Sequence, residues 1–296
     1  MHWRAVSFLC VLACGRLRFA DRDGGATETD GDSTTTDGTE MLGPFQPPTQ
    51  ISVPVTGPKY NPSMTSDQLD LYFVAMNGGS YDIYVATRTA SDAPWGAARA
   101  LTEICSTTVT DTDPEISPDG LTLYFSSLRT GTSQIYRSTR ASRTASWGAA
   151  TMVSELDTAG NNYAAAPDAS GLRLVMASDR SSAAQHLFYA TRADVGATWS
   201  APVEVVNVNS FNKDDATPTL AGGGTNLMYS TARSDPNFDL WETKRATPDA
   251  TFDQPLGIAE LNTTSHEGGP WLSEDRHVLL FESDRGGQIE LYQAVR

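Results

Sequence analysis

Residues 114–140 read PEISPDGLTLYFSSLRTGTSQIYRSTR, and this stretch decides the fold. It holds three short segments in which apolar residues, many of them Tyr, Phe or Ile, alternate with polar ones. Between the first two lies Pro118-Asp119-Gly120, where Pro presets the backbone and Gly accepts a positive φ, as a tight turn requires. A Gly-containing segment separates the second from the third. Such segments predict antiparallel strands joined by turns.

The same pattern recurs through residues 45–296 with a period near 52. Its second segment starts at Leu71, Leu123, Leu174, Leu227 and Leu279. Nine residues earlier stand Pro62, Pro114, Pro218 and Pro270, with Ala165 in the third copy. The third segment ends on a basic residue, which is Arg88, Arg140, Arg192, Lys244 or Arg296. A fourth segment opens on Trp95, Trp147, Trp199 or Phe252. A fixed period of this length indicates a repeat architecture.

Four strands per copy and five copies predict an all-β fold, a five-bladed β-propeller of four-stranded antiparallel blades. The fifth copy ends at Arg296 without a fourth segment, and residues 45–51 (FQPPTQI) match residues 252–258 (FDQPLGI). We therefore expect the N-terminal strand to close the last blade, because an open β-solenoid would leave this match unexplained. The predicted propeller covers residues 44–296. It has a closing strand at 44–56 and blades near 57–101, 110–156, 161–208, 214–261 and 266–296.

The motif at residues 116–120 (ISPDG) followed by residues 123–129 (LYFSSLR) resembles the PD40, or TolB-type, repeat of the WD40-like β-propellers. In that family the repeat runs P-x-x-S-P-D-G, an apolar strand, S-x-R and an I-Y strand. The resemblance covers residues 45–296 and implies a propeller. TolB itself carries an additional N-terminal α/β domain that has no counterpart in this sequence, so the resemblance implies neither the identity nor the partners of TolB.

The N-terminus predicts export. A short basic start and the apolar stretch 5–13 fit a signal peptide over residues 1–14. The end of this stretch, VLACG, resembles a bacterial lipobox, which would make Cys14 the lipidated residue. The alternative is simple cleavage after Ala13. Residues 15–43 are rich in Asp, Thr and Gly and predict a disordered acidic tether. We expect a periplasmic or cell-surface protein, held at the outer membrane by its lipid anchor.

Composition excludes one class of partner. The chain has 36 acidic and 21 basic residues and a formal net charge of −15. Nucleic acid and anionic membrane surfaces are bound by clustered Lys and Arg, so neither is expected as a direct partner. We expect a monomer whose only membrane contact is the lipid anchor. Among the three cysteines, Cys105 alone falls within the predicted propeller; no His neighbours it in sequence, which favours a buried structural Cys over a nucleophile.

The candidate ligand-binding residues lie three positions before the repeated Pro or Ala. They are Lys59, Asp111, Asn162, Asp215 and Glu267, and His266 is their neighbour. Fifteen residues after the Pro an Arg recurs in four copies. One interpretation is a structural bond from each Arg to a nearby acid or carbonyl. In the other, Asp111, Asp215 and Glu267 converge at the channel mouth as a site for a cation, a sugar or a basic peptide.

No catalytic motif accompanies the repeat: G-x-S-x-G, H-E-x-x-H and G-x-x-x-x-G-K are all absent. The leading hypothesis is therefore a non-enzymatic binding or scaffold module of the cell envelope, with an envelope protein or glycan bound at the channel mouth. It requires no cofactor, although a divalent cation at the channel mouth remains open. The alternative is a glycoside hydrolase or lyase of the five-bladed type that uses Asp111, Asp215 and Glu267.

Overall fold

A computed structural model describes residues 42–106, 108–158, 160–234 and 237–296. These residues form twenty β-strands arranged in five four-stranded antiparallel sheets. Within them, no helix is long and apolar enough to cross a membrane. The predicted signal peptide, Cys14 and the tether up to residue 41 lie outside the described residues.

Each sheet is one blade of a propeller. Blade 1 contains β2 (Lys59–Met64), β3 (Asp70–Asn77), β4 (Ser80–Thr87) and β5 (Arg99–Ala100). Blade 2 contains β6 (Asp111–Ile116), β7 (Thr122–Ser127), β8 (Gln134–Thr139) and β9 (Thr151–Met152). Blade 3 contains β10 (Asn162–Pro167), β11 (Arg173–Ser178), β12 (His186–Thr191) and β13 (Val203–Glu204). Blade 4 contains β14 (Asp215–Ala221), β15 (Asn226–Thr231), β16 (Asp239–Lys244) and β17 (Leu256–Gly257). Blade 5 contains β18 (Glu267–Leu272), β19 (Val278–Ser283), β20 (Glu290–Val295) and β1 (Thr49–Gln50).

The N-terminal strand closes the fifth blade, as the sequence predicted. β1 pairs antiparallel with β20, and the backbone N–H of Gln46 donates to the carbonyl of Val295 at 2.7 Å. Phe45 is buried, and the guanidinium of Arg296 lies 4.2 Å from the centre of its ring. The two ends of the described chain are therefore held in one sheet. This removes an open edge that would otherwise be available for aggregation.

The first strands of the blades form the inner ring of the propeller. Each contacts the first strand of the next blade, and β18 contacts β2, so that the ring is closed. The core consists of clusters of buried apolar side chains, and each cluster lies between two adjacent blades. The cluster of blades 1 and 2, for example, contains Ile83, Leu123 and Phe125. The all-β, five-bladed propeller predicted from the repeat is confirmed.

A β-bulge interrupts every first strand at the residue before the repeated Pro or Ala. The pairing register shifts there in all five blades. The residues concerned all have a positive φ; they are Asn61, Asp113, Ala164, Thr217 and Gly269. A bulge leaves a residue outside the ladder, which explains how Pro, lacking an N–H, is accommodated in an inner strand.

The basic residue that ends each third strand stacks on the aromatic residue that opens the fourth segment. The distance from guanidinium to ring centre is 4.2 Å for Arg88 on Trp95 and for Arg192 on Trp199. In blade 4 the repeat gave Lys244 as the basic residue that ends the third segment, and β16 does end there, but the residue that stacks is its neighbour Arg245. Arg245 lies 4.3 Å from the ring centre of Phe252, whereas Lys244 is exposed. The segment from the end of β15 at Thr231 to the start of β16 at Asp239 is one residue longer than the equivalent segments of blades 2 and 5, and this shifts the stacking position by one residue.

Candidate functional site

The five predicted ligand-binding residues at equivalent positions each begin a first strand, and together we call them the start ring. Its members are Lys59, Asp111, Asn162, Asp215 and Glu267. All of them are buried, with at most 4% of the residue surface exposed. A buried polar group needs hydrogen-bond partners, so the contacts of these side chains indicate what they do.

The acids of the start ring bond to arginines of their own blades. The guanidinium of Arg129 lies 2.9 Å from Asp111, and that of Arg233 lies 2.8 Å from Asp215. The same Arg233 nitrogen donates to the carbonyl of Val208 at 2.7 Å, and the backbone N–H of Ser210 donates to Asp215 at 2.5 Å. Each acid is thus held by an Arg and a backbone N–H, an arrangement that ties the first strand to the preceding linker.

The third acid and the uncharged member of the ring follow the same scheme. Arg285 bonds to Glu267 at 3.0 Å, and the N–H of Thr263 donates to the same carboxylate at 2.8 Å. In blade 3, Arg180 donates to Asn162. The first interpretation of the sequence, a structural bond repeated with the blade, therefore describes the contacts that these residues make.

Lys59 and His266 also have partners. The ammonium of Lys59 lies 2.9 Å from Glu290, and His266 Nε2 lies 3.0 Å from Glu282 Oε1. Burial lowers the pKa of His266, but the bond to Glu282 and the nearby Asp284 outweigh burial and raise it above its usual range. Every predicted ligand residue in the described part of the chain thus has a bonded neighbour. Its role in ligand binding stays a prediction.

Cys105 is buried at the end of the segment that links blades 1 and 2. Burial raises the pKa of its thiol to about 12, and the carboxylates of Asp111 and Asp82 act in the same direction. A thiol with so high a pKa is protonated at neutral pH and is a poor nucleophile. This agrees with the structural role that the sequence favoured.

Between the five first strands the channel is narrow. The bulge residues and their neighbours surround a space of about 20 Å³, which is room for about one water molecule. Asp113 and Glu115 contribute carboxylates to this wall, and burial raises the pKa of Asp113. A space of this size cannot hold a sugar ring or a peptide side chain, so a ligand of that kind needs another part of the channel.

Such a space lies at the end of the channel where the first strands turn into the second ones. It has a volume of about 630 Å³, within the usual range of ligand pockets. Every blade contributes to its wall, and none of the six predicted ligand residues does. We call this space the acidic cavity, because its wall contains five acids and one Arg. The acids are Glu115, Asp119, Asp168, Glu274 and Asp275.

The wall of the acidic cavity combines charge with apolar surface. Trp271, Leu220 and Met64 contribute apolar groups from three different blades. The Arg on the wall, Arg192, is engaged elsewhere: its guanidinium stacks on Trp199 at 4.2 Å and its Nε donates to the carbonyl of Gly171 at 2.6 Å. Among the described residues, Asp168 is the only wall acid with a guanidinium partner, Arg173 at 3.6 Å. The other four wall acids are not paired with an Arg in this part of the chain.

Two wall acids, Glu115 and Glu274, have a raised pKa. Burial raises the pKa of Glu115 to about 8, although a hydrogen bond from Ser63 opposes the shift. Burial also raises the pKa of Glu274, against a bond from the backbone N–H of Gly223. Asp119 and Asp275 instead hold their own turns together, because one oxygen of each accepts a bond of 2.6 Å from a Ser two residues earlier.

The sequence contained a signal for this cavity. Glu115 and Trp271 occupy the position after the repeated Pro or Ala, where the other copies have Ser63, Ala166 and Thr219. Glu274 replaces Pro118 of the Pro-Asp-Gly turn. All three depart from the repeat and all three line the cavity. The candidate ligand residues of the sequence analysis were at the start ring, the opposite end of the channel.

The fold is shared with known propellers. A thermostable family-43 glycoside hydrolase superimposes with a TM-score of 0.60 at 11% identity, over 83% of this chain and 91% of that one. An α-L-arabinofuranosidase from Podospora anserina gives 0.55 at 11% identity, over 83% and 94%. TolB from Acinetobacter baumannii gives 0.48 at 14% identity over 81% of this chain, which spans about half (55%) of that TolB. At these identities the similarity is one of fold.

The sequence comparisons add nothing to the fold. The chain matches no family model and no curated protein. The structure nevertheless shares its fold with the glycoside hydrolases of families 43 and 62.

Proposed function

We propose that the protein is a non-enzymatic binding module of the cell envelope, and that it binds a basic, partly apolar segment of an envelope protein in the acidic cavity. The observation that carries this proposal is the acidic cavity itself. It has the size of a ligand pocket, and its wall joins apolar side chains to five acids, of which Asp168 alone has an Arg partner among the described residues. An extended peptide with alternating Lys and Leu side chains matches both features.

Charge makes a basic ligand the best match. The chain carries a net charge of −15, which favours the approach of cations from a distance. Within the cavity, Glu274 and Asp275 are exposed at the wall, whereas Trp271 and Leu272 beside them are buried. A ligand cation at the two carboxylates would therefore bring its apolar neighbours close to the indole and the leucine.

The alternative hydrolase would use Asp111, Asp215 and Glu267, and the geometry argues against it. A general acid or nucleophile has to reach the glycosidic bond. These carboxylates are fully buried, and each accepts hydrogen bonds from an Arg and from a backbone N–H. They are occupied in holding the blades, which leaves binding as the function that the cavity supports best.

Isothermal titration with peptides tests the binding module. The probes are a hexapeptide of alternating Lys and Leu, its Glu/Leu counterpart, and a panel of cell-wall oligosaccharides. We expect the Lys/Leu peptide alone to bind. The double substitution Glu274→Gln/Asp275→Asn should weaken binding about tenfold, or ~1.4 kcal/mol, and Asp253→Asn, at an exposed acid remote from the cavity wall, should leave it unchanged.

Two results would overturn the binding module. Equal weakening by the cavity variant and by Asp253→Asn would mean that the peptide binds by net charge alone. Turnover of an oligosaccharide that is lost in Asp111→Asn or Asp215→Asn would identify a hydrolase instead. Binding of an oligosaccharide without turnover, reduced by the cavity variant, would assign a glycan rather than a protein as the partner.

We further propose that the module is exported as a monomer and is anchored at the outer membrane through acyl chains on Cys14. The support is the apolar stretch 5–13 and the lipobox-like VLACG that follows it. Labelling of expressing bacteria with radioactive palmitate should mark the wild type and Cys10→Ser, the matched control. Cys14→Ser should lose the label, and retention of the label in that variant would contradict the anchor.

A further inference from the structure

A repeated polar contact connects neighbouring blades. At two junctions, the residue near the start of the third strand bonds to the start-ring residue of the following blade. Between blades 2 and 3, Asn162 Nδ2 donates to Gln134 Oε1 at 2.7 Å. Between blades 5 and 1, the ammonium of Lys59 lies 2.9 Å from Glu290. Both pairs are complementary, with a donor on one side and an acceptor on the other.

The junction of blades 1 and 2 lacks this complementarity, because its two equivalent positions hold the acids Asp82 and Asp111. The junction of blades 4 and 5 also has two acids there, Asp239 and Glu267, but among the described residues it has no cysteine beside them. Cys105 lies beside Asp82 and Asp111, and one ligand atom from each of the three side chains falls within 4.8 Å of the other two. Asp82 is 3% exposed, Cys105 9% and Asp111 not at all.

Asp82 has an oxygen that the protein does not satisfy. Its Oδ2 accepts a bond of 2.7 Å from Asn77 Nδ2, but Oδ1 is buried without a hydrogen-bond partner. Asp111 differs, because Arg129 and the N–H of Ser106 bind its two oxygens. A buried carboxylate oxygen without a partner destabilises the fold, because it has lost its hydration without gaining a hydrogen bond. This orphaned oxygen is independent of the clustering and indicates a missing ligand.

Cys105 is itself a departure from the repeat. The equivalent residue is Asp157 in the linker between blades 2 and 3, and Asn209 or Asn262 in the two linkers after it. The side chain of Asn209 bonds to both the N–H and the carbonyl of Leu187, at 2.7 and 3.1 Å. Asn262 bonds to Leu240 in the same way, at 2.8 and 2.9 Å. A Cys cannot reproduce this double bond, but its sulfur is a ligand for transition metals.

We propose that Asp82, Cys105 and Asp111 bind one divalent transition-metal ion, and that Zn²⁺ is the best match. One thiolate and two carboxylates are common Zn²⁺ ligands, and three protein ligands leave a fourth position for water. Charge supports a divalent ion. Metal binding would release the thiol proton of Cys105 to solvent. The thiolate and the two carboxylates beside the Arg129 guanidinium then leave two negative charges, which one divalent cation neutralises.

The ion would join two blades. Asp82 belongs to β4 of blade 1, Asp111 belongs to β6 of blade 2, and Cys105 lies in the linker between them. Metal binding at such a junction stabilises the folded state, because the unfolded chain does not hold the three ligands together. The site is distinct from the acidic cavity, since none of its residues lines that cavity.

Reconstitution of the full chain with Co²⁺ and Zn²⁺ tests the site. After treatment with a chelator, we expect one Co²⁺ per chain with a thiolate-to-metal absorption band, and a Tm that rises with Zn²⁺ but not with Mg²⁺. Cys105→Asn, which restores the residue of the later linkers and should fold, is expected to lose the band and the rise. Glu290→Gln, at the position equivalent to Asp82, should retain both.

Cys10 and Cys14 are present in every variant. Any metal that they bind is therefore also bound by Cys105→Asn, and the difference between the wild type and this variant measures the proposed site alone. Absorption that is the same in Cys105→Asn as in the wild type would overturn the site. So would the absence of bound Co²⁺ together with a higher Tm in Asp82→Asn, because that result would mean that Asp82 is held as a neutral acid. Elemental analysis of the protein purified without chelator provides a second readout.

Discussion

The two ends of the propeller channel use polar side chains in opposite ways. At the start ring, every member is buried and bonded, and the acids take an Arg and a backbone N–H each. At the acidic cavity, acids such as Glu115 and Glu274 lie beside apolar groups around about 630 Å³ of space. In this propeller, the residue types that recur in most blades form structural bonds within the blade. Residues that depart from the repeat do not have to make such a bond, and they are the better candidates for ligand binding.

Removal of one ion-pair partner in the start ring should lower the free energy of unfolding more than any other change considered below. Arg233→Leu leaves Asp215 buried without its cationic partner, and removal of one member of a buried pair costs about 3–5 kcal/mol. We expect the free energy of unfolding, measured by guanidinium titration, to fall by that amount. Glu274→Gln at the cavity is expected to change it by less than about 0.5 kcal/mol.

The double variant Arg233→Leu/Asp215→Asn sharpens this test, because it removes the pair rather than one partner. The double variant should be more stable than Arg233→Leu alone, because burial of a neutral amide costs less free energy than burial of an unpaired carboxylate. A single Arg233→Leu that is as stable as the wild type would contradict the scaffold role of the start ring.

The period of the repeat, together with its repeated Pro and turn residues, was sufficient to predict the fold. The repeated Pro marked the bulge of each first strand, and the match of residues 45–51 to residues 252–258 predicted the strand that closes blade 5. These features are local in sequence or repeat at fixed spacing. Blade 4 shows the limit of this reasoning, because its extra residue moved the stacking position from Lys244 to Arg245.

The cavity was harder to predict for a physical reason. Glu115, Leu220 and Trp271 come from different blades and meet only because the ring closes. Recurrence drew attention to Asp111, Asp215 and Glu267, but the sequence left open whether they bond to the recurring Arg or converge at the channel mouth, and the contacts are those of the first interpretation. The residues after the Pro differ between copies, and only the fold places them around one space.

At the acidic cavity we expect a smaller effect, a dependence of the free energy of unfolding on pH that arises from Glu115. Burial raises the pKa of Glu115 from about 4.5 to about 8, so the folded protein retains a proton between these pH values that the unfolded chain releases. The stability that this proton contributes is present at pH 4 and is lost as the pH rises towards 8. Glu115→Gln should therefore match the wild type near pH 4 and exceed it at pH 8.

The expected gain at pH 8 is about 1–2 kcal/mol, because one unit of pKa shift corresponds to about 1.4 kcal/mol and partial contact with the cavity reduces the full value. Guanidinium titrations at pH 4, 6 and 8 measure it. Asp119→Asn is the control, since that exposed acid accepts the same turn bonds as an amide. Parallel profiles for the wild type and Glu115→Gln would mean that Glu115 is hydrated, and the cavity would then be open to solvent down to its junction with the narrow channel.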